Sequence, residues 1–250
     1  EGSAGRLAGP RAVIWDIDIH KRLQHGGSSF TLDVAFRSAA PRLVLFGPSG
    51  AGKTQTLKVL AGLQRADRGH VRVAGRTLYA AAEGIDLTPQ QRRLAYVFQD
   101  YALFPHLTVR QNIGFATRRG WANPPRRLQN AGIDRWIATF GLQAVADHYP
   151  HQISGGQRQR TALARALMNE PTALLLDEPF AALDKGLRQR LRDDLAALQR
   201  ALDIPLLLIT HDDDDVRALA DAVVHLRDGR VQPHPTGVDP QDGLQMQVQA

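Results

Sequence analysis

The sequence predicts an α/β fold: a parallel sheet between helical layers, an antiparallel β subdomain ahead of it and an α-helical subdomain inserted in it. Three observations predict it. Short unbroken apolar runs recur at Leu43–Phe46, Leu94–Phe98, Ala173–Leu176 and Leu206–Thr210, the pattern of strands buried on both faces. Period-two alternation marks Val13–Ile19 and Phe30–Arg37, as half-buried strands require. From 106 to 150 the strand pattern gives way to helices and loops, broken by Pro124-Pro125.

The elements follow in order. Val13, Trp15, Ile17 and Ile19 face one way and Asp16, Asp18 and His20 the other. A polar, glycine-containing stretch, 21–29, joins them to Phe30, Leu32, Val34 and Phe36. A helix is expected over Thr54–Leu63, ending near Gly62, then short strands at Val71–Val73 and Leu78–Tyr79. Gly155–Met168 reads as a helix. Leu187, Leu191, Leu195, Leu198 and Leu202 recur at helical spacing, so 186–203 is an amphipathic helix. A helix over 213–221 and a hairpin over Val223–Val231, turning at Asp228-Gly229, complete the core. Residues 11–232 form one domain with the helical subdomain at about 100–165, and 233–250 are read as a loose tail.

Composition narrows the function classes. The chain has 250 residues, 43% hydrophobic and 22% charged, enough for a sizeable core without staples. With no cysteine, disulfides and thiolate metal sites are excluded. The net charge of +6 comes from dispersed arginines rather than a basic block, so nucleic acid is not expected as a partner. No apolar run approaches the ~20 residues of a membrane span. Glu1 to Arg11 has no apolar core and is read as a processed end rather than a signal peptide.

Gly47-Pro48-Ser49-Gly50-Ala51-Gly52-Lys53-Thr54 fits a phosphate-binding loop between a buried strand and a helix. Its glycines let backbone amides turn inward around a phosphate, at the positive end of the helix. Lys53 would reach the β- and γ-phosphates of ATP, and Thr54 would hold Mg²⁺ through its hydroxyl. Leu174-Leu175-Leu176-Asp177-Glu178 delivers two carboxylates at the C-terminal end of a strand, where open α/β sheets bind ligands. Asp177 would hold Mg²⁺ through water, and Glu178 would face the attacking water as base or polariser. Ser154-Gly155-Gly156-Gln157 opens an arginine-rich helix and is a second anion site by the same dipole logic. Taken alone it is a common helix cap, as His211 alone is a surface histidine. Asp212–Asp215 reads as an acidic first turn, not a metal site.

The order of Gly47–Thr54, Gln99, Ile153–Gln157, Leu174–Glu178, Ala181–Asp184 and His211 resembles the ATP-binding subunits of ABC transporters across about residues 11–231. The resemblance implies a P-loop NTPase (RecA-like) core and ATP hydrolysis with Mg²⁺. It makes Gln99 the glutamine that contacts Mg²⁺ and senses the partner. It makes Ser154–Gln157 the signature that binds ATP held by the opposite copy, Asp184 an aspartate at the dimer interface and His211 the switch histidine. The catalytic set is Glu178, His211, Gln99 and Lys53; Thr54, Gln99 and Asp177 are the metal set. Two copies would close head to tail around two ATP molecules.

Departures are Ile153 for a usual Leu, Ala181 for Ser and Asp215 for Glu. For the adenine-stacking aromatic, the loop offers His25, while Phe30 is committed to a strand. Tyr101–Val109 is similar to the stretch that meets the permease's coupling helix in importers of oxyanions, sugars and metals. Phe104 and Leu107 would make that apolar contact, and both fit core packing equally well. Asp16–Ile19, Phe30–Phe36 and Phe46–Thr54 look most like molybdate importers, with sulfate, iron and polyamine importers sharing much of the pattern. A solute-binding protein would act indirectly, and the subunit would sit peripherally on the cytoplasmic face of the inner (plasma) membrane. Such subunits often carry a small C-terminal β-barrel domain that this sequence does not include, so either the chain is truncated or this member lacks it. A non-transport ABC ATPase would show a long coiled-coil insertion or a second cassette, and a GTPase an Asn-Lys-x-Asp motif. Neither occurs.

Overall fold

The computed structural model describes residues 12–25, 28–117, 123–126, 128–181 and 185–233. Asp184, most of the 233–250 tail and residues 1–11 therefore lie outside the described residues.

The chain opens with two long antiparallel strands, β1 (Trp15–His25) and β2 (Ser28–Ser38), paired from Trp15↔Ser38 to His25↔Ser28. Both run into the stretch expected to be a loop, β1 through His25 and β2 from Ser28. The ladder is satisfied by backbone groups alone, so polar residues past Ile19 extend it without an apolar face. Trp15, Ile17 and Ile19 are fully buried, but Val13 is 41% exposed because the strand begins only at Trp15. Leu32, Val34 and Phe36 are buried on the facing strand.

β3 (Arg42–Phe46) leads through the glycine-rich loop into α1 (Lys53–Ala61). Gly62 ends α1 in the left-handed region at φ 78°, returning its amide to Lys58 and Val59 carbonyls. Next come β4 (Arg68–Val73), β5 (Arg76–Ala80) and β6 (Ile85–Asp86), then the one-turn α2 (Pro89–Arg92) and β7 (Leu94–Val97). Sequence reading singled out neither β6 nor α2, although Thr88, Pro89 and Gln91 carry a capping-box start for α2. Arg92 explains why the chain returns here: it is 1% exposed and donates to Val59 O at 2.7 Å and Leu60 O at 2.8 Å. A guanidinium thus satisfies carbonyls at the negative end of α1.

The insertion holds α3 (Val109–Phe115), α4 (Ala131–Thr139) and α5 (Gly155–Leu167). Then β8 (Ala173–Asp177), α6 (Lys185–Leu202), β9 (Leu206–Thr210), α7 (Asp213–Leu219), β10 (Ala222–Arg227) and β11 (Arg230–Val231) rebuild the core. On α6, Leu191 and Leu195 are buried and Leu198 half-buried, as the stripe predicts. α7 stops two residues short of the expected 221, at the extended Ala220.

The strands run β6-β5-β4-β1-β2-β11-β10-β3-β9-β8-β7. β10, β3, β9, β8 and β7 pair in parallel, whereas β1, β2, β4, β5 and β6 pair antiparallel. The β10–β11 hairpin joins the halves, with β11 beside β2. One core lies between the parallel strands and the inserted helices, the other between the antiparallel strands and α1.

Candidate active site

The phosphate-loop conformation requires its glycines. Gly50 and Gly52 sit at φ 83° and 97°, in the region that glycine enters without steric cost. Gly47 has no room at all: a Cβ there would lie 2.1 Å from the Leu226 carbonyl oxygen. The loop is buttressed from behind, where Gly229 donates from its amide to Ala51 O at 3.0 Å and accepts from the Asp33 amide at 2.7 Å. Phe30, half-buried on β2, packs its ring near Gly52.

Lys53 is 4% exposed and donates from Nζ to Gly47 O at 2.7 Å and Pro48 O at 2.9 Å. Burial pushes its ammonium below the usual lysine range, opposed by the negative charges of Glu178 and Asp177. Glu178 Oε1 lies 3.7 Å from that ammonium, and Glu178 Oε2 lies 3.3 Å from His211 Nδ1. One carboxylate therefore bridges the phosphate-loop lysine and the predicted switch histidine. Glu178 holds a left-handed φ of 44°, a strained state for a residue with a Cβ. His211 is 54% exposed, so its imidazole reaches solvent from the end of β9.

Asp177 ends the fully buried β8. It accepts from Thr54 Oγ1 at 3.0 Å and from Tyr96 Oη at 2.7 Å. Burial raises its pKa above the ordinary aspartate value; these two hydrogen bonds and the Lys58 charge oppose the rise, and Glu178 adds to it. Sequence reasoning missed Tyr96. Its one available signal is a tyrosine inside an apolar strand three residues before Gln99, a strand that pairs Val97 with Leu176. Thr54 and Asp177 form an oxygen pair at the rim of the phosphate loop, the donor chemistry that suits a hard divalent cation. The described residues contain no cluster of three or more His, Asp or Glu that would hold a metal unaided.

Gln99 is exposed in the turn beyond β7, at the same sheet edge as Glu178. Its loop is held by Tyr101, the first residue of the stretch likened to a permease contact, and by Arg165 of the arginine-rich α5. Tyr101 donates its hydroxyl to Pro179 O at 3.1 Å, and Arg165 donates to Tyr101 O and Ala102 O, each at 2.8 Å. Phe104 is half-buried against Phe115, with ring centroids 4.3 Å apart. Leu107, which fitted permease contact and core packing equally well, is 1% exposed and belongs to the core, next to the Thr108 cap of α3. Ala102, Pro105 and His106 are the exposed residues of that segment.

Ser154 caps α5 in a reciprocal box: its hydroxyl accepts from the Gln157 amide at 3.2 Å, and its own amide donates to Gln157 Oε1 at 2.9 Å. Gly156 is buried behind it. Among the described residues no hydrogen bond or ion pair joins Ser154–Gln157 to Gly47–Thr54. Asp212 caps α7, accepting from the Asp214 amide at 2.8 Å. Burial would raise the Asp212 pKa, yet that amide and the Arg188 and Arg192 guanidiniums hold it below the usual value. Asp213, Asp214 and Asp215 form the first turn of α7 behind this cap, and Arg188 and Arg192 pair with Asp212.

A family model described as "ABC transporter" matches residues 34–181. The chain belongs to the ABC transporter family. Within it, the chain is similar to the molybdenum import ATP-binding protein ModC of Rhodospirillum rubrum, 42% identical over 86% of this chain and 56% of that protein. ModC of Paramagnetospirillum magneticum is 38% identical over 86% and 57%, and that of Haemophilus ducreyi 35% over 86% and 58%. The chain thus spans a little over half the length of these curated relatives. Among solved structures, the ATP-binding cassette MJ0796 in a dimeric post-hydrolysis state bound to ADP and Pi superposes with a TM-score of 0.70. It is 27% identical, over 89% of this chain and 97% of that one. As in the ABC family, the fold is an α/β ATP-binding cassette, and no described helix is long and apolar enough to cross a membrane.

Proposed function

We propose that the chain is the ATP-hydrolysing subunit of an importer. Two copies close head to tail around two MgATP and drive solute uptake, with molybdate as the solute, through a membrane permease. The observation that supports hydrolysis best is the line Lys53–Glu178–His211, at 3.7 and 3.3 Å, beside the glycine-rich cradle. Phosphoryl transfer to water needs charge neutralisation and positioning more than covalent chemistry. Loop amides and the Lys53 ammonium would bind the β- and γ-phosphates. Glu178 would orient the attacking water and accept its proton, and His211 would donate to a γ-phosphate oxygen. Thr54 and Asp177, with Gln99, would hold the Mg²⁺, which when bound neutralises phosphate charge.

The exposed Ser154 at the start of α5 supports the two-copy reading, since among the described residues no bond joins Ser154–Gln157 to the phosphate loop of the same chain. Asp184 would lie at the interface between copies. The similarity to three ModC proteins supports import and molybdate. The permease would meet the segment Phe104–Leu107 through its exposed Pro105 and His106, a solute-binding protein would act indirectly, and the subunit would stay at the cytoplasmic face of the inner membrane.

The test is Mg²⁺-dependent ATP turnover of the chain reconstituted with its permease and binding protein. Molybdate should stimulate turnover more than sulfate, iron or polyamine. Stimulation by one of those solutes alone would replace molybdate and leave the ATPase standing; no turnover under any condition would overturn the hydrolytic reading.

A further inference from the structure

Arg192, in the middle of α6, has a side chain only 4% exposed, and it faces three acids of the segment after β9. Nε donates to Asp215 Oδ1 at 2.5 Å, Nη2 donates to Asp212 Oδ2 at 3.1 Å, and Nη1 stands 3.8 Å from Asp214 Oδ2. One turn earlier on the same helix, Arg188 donates to the same Asp212 oxygen at 2.7 Å. Asp215, 3% exposed, completes the ring: its Oδ2 accepts from Thr210 Oγ1 at 2.6 Å. That hydroxyl oxygen in turn accepts from the Asp212 amide at 3.1 Å.

Thr210 and Asp212 are the two chain neighbours of His211, and both belong to this network. His211 itself is more than half exposed, and its side chain meets Glu178 at 3.3 Å. An exposed imidazole has little packing to fix its direction, so its aim is set by the backbone that bears it. A buried charged group is costly unless fully paired, and apolar packing would serve stability at least as well. The donors of Arg192 go instead to Asp212, next to His211, and to Asp215, which binds Thr210 on the other side of His211. The guanidinium also lies 6.0 Å from the ring of Phe180, two residues beyond Glu178.

We infer that Arg192 is a positioning residue for ATP hydrolysis: through Asp215, Asp212 and Thr210 it fixes the backbone on both sides of His211 and so holds the imidazole against Glu178. The inference rests on the hydrolytic reading proposed above. A misplacement of about 1 Å at a reacting group can cost on the order of a hundredfold in rate.

The test is a double-mutant cycle on ATP turnover with the full chain, using Arg192→Met, His211→Ala and their combination, with residual rates followed by radiolabelled ATP. Arg192→Met should lower kcat about tenfold to a hundredfold and leave the KM for ATP unchanged. In the His211→Ala background it should cost nothing further, because the group it positions is gone. Thr210→Val keeps the Arg192 pairs and the side-chain shape, so it serves the same cycle if Arg192→Met does not fold. An equal fold-loss in both backgrounds, or a KM change with kcat intact, would overturn the assignment. Absence of turnover in the wild-type chain would overturn the hydrolytic reading and this inference with it; independent losses in an active wild type would overturn the Arg192 assignment alone.

Discussion

The Asp177 carboxylate is buried at the end of β8, and two hydroxyls offset only part of the cost of its charge. The sign of its effect on stability follows. Its folded pKa is raised, so between the unfolded value of 3.8 and the higher folded value the native state binds more protons than the unfolded chain. Through that window stability falls as pH rises, and above it the full penalty remains. Asp177→Asn keeps the shape and can keep both hydroxyl contacts, because an amide both accepts and donates. The variant should melt higher than the wild type at pH 7, show a smaller difference near pH 4, and lose ATP turnover. Thermal melts across that range check it; an equal or lower melting temperature at pH 7 would contradict the raised pKa. Lys53 offers a separate prediction. Losing a charge-assisted hydrogen bond costs about 1.5–3 kcal/mol, so Lys53→Ala should weaken nucleotide binding about tenfold to a hundredfold in a calorimetric titration. At this scale the sequence was a good guide where a residue type is rare in its context, as with Lys53 or the Asp177-Glu178 pair. It was silent on Tyr96, Arg165 and Arg192, whose roles arise from partners far away in the chain.

α5 begins with a cap that serves local structure whatever else it does. Ser154→Ala removes one side of the capping box, at a cost of about 1 kcal/mol, and a domain of this size should then melt about 2–4 °C lower. If Ser154 also meets ATP on the opposite copy, turnover should fall far more than that stability loss explains, with nucleotide binding to the P-loop of the same chain intact. Melting, binding and turnover measured side by side separate the two contributions. The β10–β11 turn is equally exacting: at Gly229, φ is 77° and a Cβ would lie 2.0 Å from Thr31 O. Gly229→Ala should loosen the support of Ala51 and reduce both folded yield and nucleotide binding. Elements with an unbroken apolar run were legible to within a residue, β9 at Leu206–Thr210 among them. Less legible were the ends of β1 and β2, set by backbone pairing rather than side chains, and Leu107, whose burial depends on how α3 packs. β6 is too short, at two residues, for any periodicity to reveal it.

Across the whole molecule, the parallel strands carry the phosphate loop, Asp177, Glu178 and His211 to one edge, while the capped start of α5 belongs to the inserted helices. No bond among the described residues brings the two together within one chain. The alternation of buried strands with helices disclosed this plan, whereas the distances within the Lys53–Glu178–His211 line needed the structure. The central claim is that this line hydrolyses ATP in a site completed by a second copy. General base catalysis contributes about 10²–10⁴ in rate, so Glu178→Gln should bind ATP yet scarcely turn it over. The most direct measurement is the molar mass of Glu178→Gln in solution with and without MgATP. A nucleotide-dependent shift from monomer to dimer, with turnover lost, is the predicted result; a monomer at saturating MgATP, or wild-type turnover in the variant, would contradict it.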